Sequence, residues 1–132
     1  MSTIFTRIIN GEIPCHKVAE NETFIAFLDI NPVAKGHCLV VPKREIDYLF
    51  ELDDNTLSAL MLFSKRVATA LKLTVPCNRI GVSVIGLEVP HAHVHLIPIN
   101  SLYDMSFEKE RVKFTNDELA QLARSVSQNF NA

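Results

Sequence analysis

Residues His91-Ala92-His93-Val94-His95-Leu96-Ile97-Pro98-Ile99 constrain this chain more than any other stretch. Three of the five histidines stand there at every second position, with Ala92, Val94 and Leu96 between and after them. A period of two is the strand period, so one face of a strand carries imidazoles and the other carries apolar side chains. Burial alone does not call for a row of imidazoles. The row therefore marks a functional site, and the remaining segments are read as its surroundings.

The segments before the row alternate short strands with turn signals. Ile4, Phe5, Ile8 and Ile9 fall at helical spacing, and Asn10-Gly11 ends that helix. A short strand is expected around His16 to Ala19, another over residues 23–29, and a third over His37 to Pro42. In the second of these, Ile25, Phe27 and Asp29 share a face, which sets a carboxylate at the end of an apolar wall. Ile46, Leu49 and Phe50 suggest a short helical turn. Asp53-Asp54 then opens a long helix whose apolar positions run from Leu57 to Leu71. Leu62 and Phe63 widen its stripe beyond one surface, so it is expected to pack on a sheet and on a second body such as another copy.

Arg79 to Ile85 reads as a fourth strand, joined through residues 86–90 to the histidine strand. Thr115-Asn116-Asp117-Glu118 is a capping-box pattern that opens a C-terminal helix through Val126. Clustered strands with short connections predict an α+β fold, an antiparallel sheet of about five strands with helices on one side. A length of 132 residues suits a single domain, 1–132, with a C-terminal helical extension at about 104–132.

Charge and cysteine content narrow the function. A net charge of -2 with scattered lysines and arginines argues against a broad nucleic-acid surface. The three cysteines form no Cys-x-x-Cys pair and no disulfide framework. No apolar run approaches the ~20 residues that cross a bilayer, and the N-terminus lacks a signal-peptide core, so a cytoplasmic location without membrane attachment is expected.

The imidazole row admits two chemistries. His-x-His can form half of a metal site, with His37 as a candidate third ligand, but cysteine and carboxylate partners are not evident nearby, and neither a metal nor a cofactor is expected. The alternative is work on a phosphate. A neutral imidazole whose Nδ1–H is held by a carbonyl has Nε2 fixed as a nucleophile, and a second histidine two residues on can serve the departing group. An apolar slot suits a base, and a carboxylate such as Asp29 suits two vicinal hydroxyls.

These residues resemble the signature of the histidine-triad (HIT) superfamily, His-φ-His-φ-His-φ-φ with φ apolar. The resemblance extends to Ile4 through Pro14, which look like the opening of the branch that hydrolyses nucleoside phosphoramidates. It also takes in Phe27 through Pro32 and Gly36 through Lys43, and covers roughly residues 4–100. It implies an α+β domain that pairs into a homodimer with a continuous sheet. It further implies His93 as the nucleophile, His95 at the phosphate and leaving group, His91 as the member that orients the nucleophile, and His37 as a fourth histidine. Asp29 matches the ribose carboxylate, and Phe5, Ile8, Ile13, Phe27, Ile30 and Leu39 match the purine slot. The implied function is hydrolysis at the α-phosphorus of a purine nucleotide conjugate through a nucleotidyl-histidine. Related alternatives are a nucleotide-binding scaffold with weak or no catalysis, a dinucleoside polyphosphate hydrolase and a nucleotidyltransferase.

Two departures stand out. The segment before the triad, residues 85–90, is shorter than usual, and Glu88 stands near where a serine or threonine bonds the phosphate. A carboxylate there repels phosphate unless it is protonated or paired. Thr3 and Thr6 occupy the region where some bacterial members carry a zinc-binding Cys-x-x-Cys.

Overall fold

Strands Phe24–Leu28 and Cys38–Pro42 are buried at every residue, so apolar layers must cover both faces of the sheet between them. The computed structural model describes residues 2–131. In chain order it contains α1 (Ile4–Ile9), β1 (Lys17–Glu20), β2 (Phe24–Leu28), β3 (Cys38–Pro42), a 3-10 turn (Leu49–Glu51), α2 (Asp54–Thr74), β4 (Arg79–Ser83), β5 (Val94–Ile99), a second 3-10 turn (Leu102–Met105) and α3 (Asn116–Gln128). The five strands form one sheet in the order β1-β2-β3-β5-β4, and every neighbouring pair is antiparallel.

Alternation along the strands divides the core in two. Phe24, Ala26, Leu28, Cys38, Val40, Val94 and Leu96 point to one face and pack with Leu60, Phe63, Val67 and Leu71 of α2 and with Leu119, Ala123 and Val126 of α3. Ile25, Phe27, Leu39 and Val41 point to the other face and meet Phe5, with Ile8 and Ile9 packed alongside. The two long helices thus share one side of the sheet, while the six-residue α1 covers part of the opposite side. Each helix begins at a side-chain cap. Asp53 accepts from the Thr56 N–H, Thr3 from the Thr6 N–H, and Thr115 with Glu118 forms the capping box expected from sequence.

The histidine row enters the sheet later than its pattern suggests. β5 starts at Val94, so His95 lies in the ladder while His91 and His93 precede it. The β3–β5 pairing starts at Val40–Val94, and beyond it the Ala92 N–H bonds to the Ile46 carbonyl at 2.7 Å. The alternation survives this change of partner, because Ala92, Val94 and Leu96 all lie in the helix-side core. Leu39 pairs with His95 across the ladder, and His37, two residues earlier, lies on the same face. Among the described residues no helix is long and apolar enough to cross a membrane.

Candidate active site

Four histidines are buried together where β3, β5 and the lead-in to β5 converge. His37 and His91 are 1% and 0% exposed, and His93 and His95 retain 7% and 8%. The last two face a pocket of about 400 Å³ with an apolar wall of Phe5, Ile8, Ile13, Phe27 and Leu39. Asp29, Ile30 and Glu88 also line it, whereas His37 and His91 stand behind the wall. Ten of the twelve site residues expected from sequence therefore border one cavity, and the other two bond directly to histidine-row residues or their neighbours.

The hydrogen bonds fix which nitrogen carries each proton. His93 Nδ1 lies 2.7 Å from the His91 carbonyl, which can only accept, so Nδ1 bears hydrogen and Nε2 keeps its lone pair. His91 Nε2–H likewise donates to the Pro42 carbonyl at 2.7 Å, and its Nδ1 accepts from the Thr3 hydroxyl at 2.8 Å. His37 is fixed in the other sense. The Val33 N–H donates to its Nδ1 at 3.1 Å, so Nε2 carries the hydrogen and donates to His95 Nδ1 at 2.9 Å. His95 is left with a hydrogen on Nε2. The ring centroids of His93 and His95 are 4.8 Å apart. Adjacent imidazoles of opposite tautomer thus share the pocket, one offering a lone pair and the other a proton.

Burial favours the neutral rings. It drives His37 down to about 3, with the neighbouring His95, Arg111 and His93 charges adding to the shift. It drives His95 down to about 4, aided by His93 and Arg111, and it lowers His93 despite the bond to the His91 carbonyl. Asp29 is raised by burial, which the Asn31 N–H and the Arg111 charge only partly offset.

Thr3 joins local structure to the site, since the hydroxyl that caps α1 also donates to His91. Thr6 donates to Glu45 at 2.6 Å. In place of a cysteine pair, these threonines tie the N-terminus to the triad. As for a metal, Asp29, His37 and His95 offer ligand atoms within 4.8 Å of one another. Two imidazoles and a carboxylate are a suitable donor set for zinc. The set includes His37, as the metal alternative anticipated, but it uses Asp29 rather than His93. The bond between His37 and His95 occupies the nitrogens that face each other there.

Among the lining residues outside the expected set, Phe107 and Arg111 bring a ring and a charge to the site. Phe107 packs edge-on against His95, with centroids 4.9 Å apart, and against His37 at 5.9 Å. Arg111 sits over the Phe107 ring at 5.6 Å and donates from Nη1 to the Asn31 carbonyl at 2.9 Å. The one sequence hint was a lone aromatic in a polar run. Arg111 itself, between Glu110 and Val112, reads as an ordinary solvated residue.

The profile of the HIT domain family matches residues 10–102, and the chain belongs to that family. An adenosine 5'-monophosphoramidase of Schizosaccharomyces pombe is 34% identical over 131 residues, covering 96% of this chain and 97% of its own. An adenosine 5'-monophosphoramidase of Saccharomyces cerevisiae is 42% identical over 96 residues, covering 72% and 61%. Among solved structures, a Hit-like protein from Bartonella henselae described as involved in cell-cycle regulation superposes with a TM-score of 0.85 at 28% identity, covering 98% of this chain and 96% of that one.

Proposed function

We propose that the chain is a nucleotide hydrolase acting at the α-phosphorus of a purine nucleoside phosphoramidate or related conjugate, through a covalent nucleotidyl-His93 intermediate. The observation that carries this reading is the pair of opposite tautomers, a free lone pair on His93 beside an N–H on His95 at one pocket wall. The fungal phosphoramidases named above support the same class of chemistry.

The purine enters the slot of Phe5, Ile8, Ile13, Phe27, Ile30 and Leu39, and Asp29 accepts from the ribose hydroxyls. His93 Nε2 then attacks phosphorus as the bond to the leaving nitrogen breaks. Positive charge on the His93 ring is met by the His91 carbonyl at Nδ1. Burial keeps His95 neutral at physiological pH, and its Nε2–H donates a hydrogen bond. That Nε2–H bonds the departing nitrogen, which leaves as the amine with a proton drawn from solvent, while His95 Nδ1 keeps its bond from His37. Water then attacks phosphorus as the N–P bond to His93 breaks and yields its proton to solvent, so both histidines end neutral as they began.

Mass spectrometry after an alkaline denaturant quench, which spares a phosphorus–nitrogen bond to histidine, tests this on an incubation with adenosine 5'-phosphoramidate. A mass increase of one nucleotidyl group on His93 is expected, and His93→Ala should cut turnover by about 10³-fold or more. Wild-type rates in that variant overturn the mechanism. Glu88 favours a second reading, nucleotide binding with little turnover, because its carboxylate lines the pocket and opposes phosphate. Calorimetric monophosphate binding without any product would select it.

The chain fits one HIT-like domain over residues 1–132, extended from about 104 by the segment that carries α3. Strand β4 has one unpaired edge; Val82 on it is 52% exposed and Val84, just past its end, 40%. Met61, Leu62 and Leu73 of the neighbouring α2 are also exposed. A second copy pairing edge to edge would cover both, giving a homodimer with a continuous sheet. Sedimentation should return twice the 14.8 kDa chain mass, and Val82→Lys should shift it toward the monomer. The three free cysteines suit a reducing compartment such as the cytoplasm.

A further inference from the structure

The family match ends at residue 102, yet the chain beyond it returns to the pocket. Two bonds anchor the returning segment to the loop after β2. The Val112 N–H donates to the Pro32 carbonyl at 2.9 Å, and Arg111 Nη1 donates to the Asn31 carbonyl at 2.9 Å. That loop also carries Asp29, whose Oδ1 accepts from the Asn31 N–H at 2.8 Å, and Val33, whose N–H orients His37. The segment is thus fixed against the elements that build the site.

Arg111 is the one permanent cation among the described residues that line the pocket, against the two carboxylates of Asp29 and Glu88. It is half-buried, and it forms no ion pair among the described residues. One of its five N–H groups goes to a neutral carbonyl, which leaves the planar fork able to take a bidentate anion. Its placement says which anion. Phe107 stands between it and His95, 4.9 Å from the imidazole on one side and 5.6 Å from the guanidinium on the other. Arg111 is therefore one aromatic ring beyond the imidazoles that would hold the reacting phosphoryl group. A group it meets belongs to another part of the same ligand.

We infer that Arg111 is a specificity-determining residue that receives a second anionic group of the bound nucleotide, beyond the phosphate held at His93 and His95. This rests on the nucleotide reading of the site but not on turnover. The second group is a phosphate or carboxylate carried on the leaving side or on the ribose. Both positions are compatible with a guanidinium anchored two residues from Asp29 and one ring from His95. The charge balance gives the reason for such a residue, because a ligand with two anionic groups entering beside Asp29 and Glu88 needs a compensating cation.

Calorimetry with three probes tests this on the wild-type protein and on Arg111→Gln and Arg111→Lys. Adenosine 5'-monophosphate carries one anionic group, adenosine 5'-diphosphate adds one on the leaving side, and adenosine 3',5'-bisphosphate adds one on the ribose. In the wild type, one of the doubly phosphorylated probes should bind about tenfold more tightly than the monophosphate, the size of a charge-assisted contact. Arg111→Gln should erase that gain while leaving monophosphate affinity within about threefold, and Arg111→Lys should restore part of it. Which probe gains identifies where the second group sits. Melting curves confirm that each variant is folded. An equal gain in wild type and Arg111→Gln, or no gain in wild type, overturns the inference while the nucleotide reading stands. A loss of monophosphate affinity as large as that of the others also overturns it, since the guanidinium would then hold the first phosphate. If the monophosphate fails to bind at all, the nucleotide reading itself falls, and the inference with it.

Discussion

His37 Nε2 lies 2.9 Å from His95 Nδ1, and this bond decides what His95 can present to a ligand. Its direction is set one step back, where the Val33 N–H occupies His37 Nδ1. A backbone amide therefore assigns a proton two imidazoles away. On the other branch the His91 carbonyl assigns the opposite tautomer to His93. The neighbouring rings differ because one chain of bonds starts from a donor and the other from an acceptor.

Replacing His37 should expose this dependence. His37→Phe leaves the Val33 N–H and His95 Nδ1 without a partner, at a cost of about 1–3 kcal/mol for each buried group. His95 can then hold its proton on either nitrogen, and kcat/KM on a nucleoside phosphoramidate should fall by about 10- to 100-fold. Nitrogen chemical shifts of the histidine rings report the tautomer directly. Unchanged His95 shifts in the variant would show that His37 does not set them.

Acid should destabilise the fold in a defined window. His37 and His95 have folded-state pKa values of about 3 and 4, below the ordinary value of 6.5, so the unfolded chain binds more protons between those limits. Stability then rises with pH through the window, is fully present above about 6.5 and is lost as pH falls toward 4. Each ring contributes a slope of up to about 1.4 kcal/mol per pH unit. Urea midpoints measured from pH 7.5 to 4.5 should fall steadily, and His37→Phe should flatten the curve.

Gly36 supports the same histidine through the backbone. Its φ is +89°, and a Cβ there would lie 3.0 Å from Pro98 Cγ and 3.1 Å from Val75 Cγ2. Gly36→Ala should therefore cost about 1–3 kcal/mol in chemical denaturation. Activity should fall as well, because the turn at residue 36 delivers His37 to its partners. Wild-type stability in this variant would mean that the turn relaxes freely.

Local pattern alone placed the five strands to within a few residues, the starts of α2 and α3, and much of the pocket wall. Thr115 with Glu118 marked the start of α3, and Asp53 stood one residue before α2. Alternation put Phe27 and Asp29 on the pocket side of β2, and put Ala92, Val94 and Leu96 in the core opposite the imidazoles. Such features depend on neighbours within a few residues, where spacing and side-chain chemistry act directly. Other features required the folded chain. The tautomers depend on the Pro42 carbonyl, the Val33 amide and the Thr3 hydroxyl. The last stands 88 residues from the ring it bonds. Phe107 and Arg111 reach the pocket only because the segment after β5 turns back over the loop after β2; in sequence Phe107 shows only as an aromatic in a polar run, and Arg111 reads as a solvated residue. Periodicity records which face a residue occupies. It carries no information about which distant donor or acceptor will meet that face, and that meeting sets both the protons and the charge in this pocket.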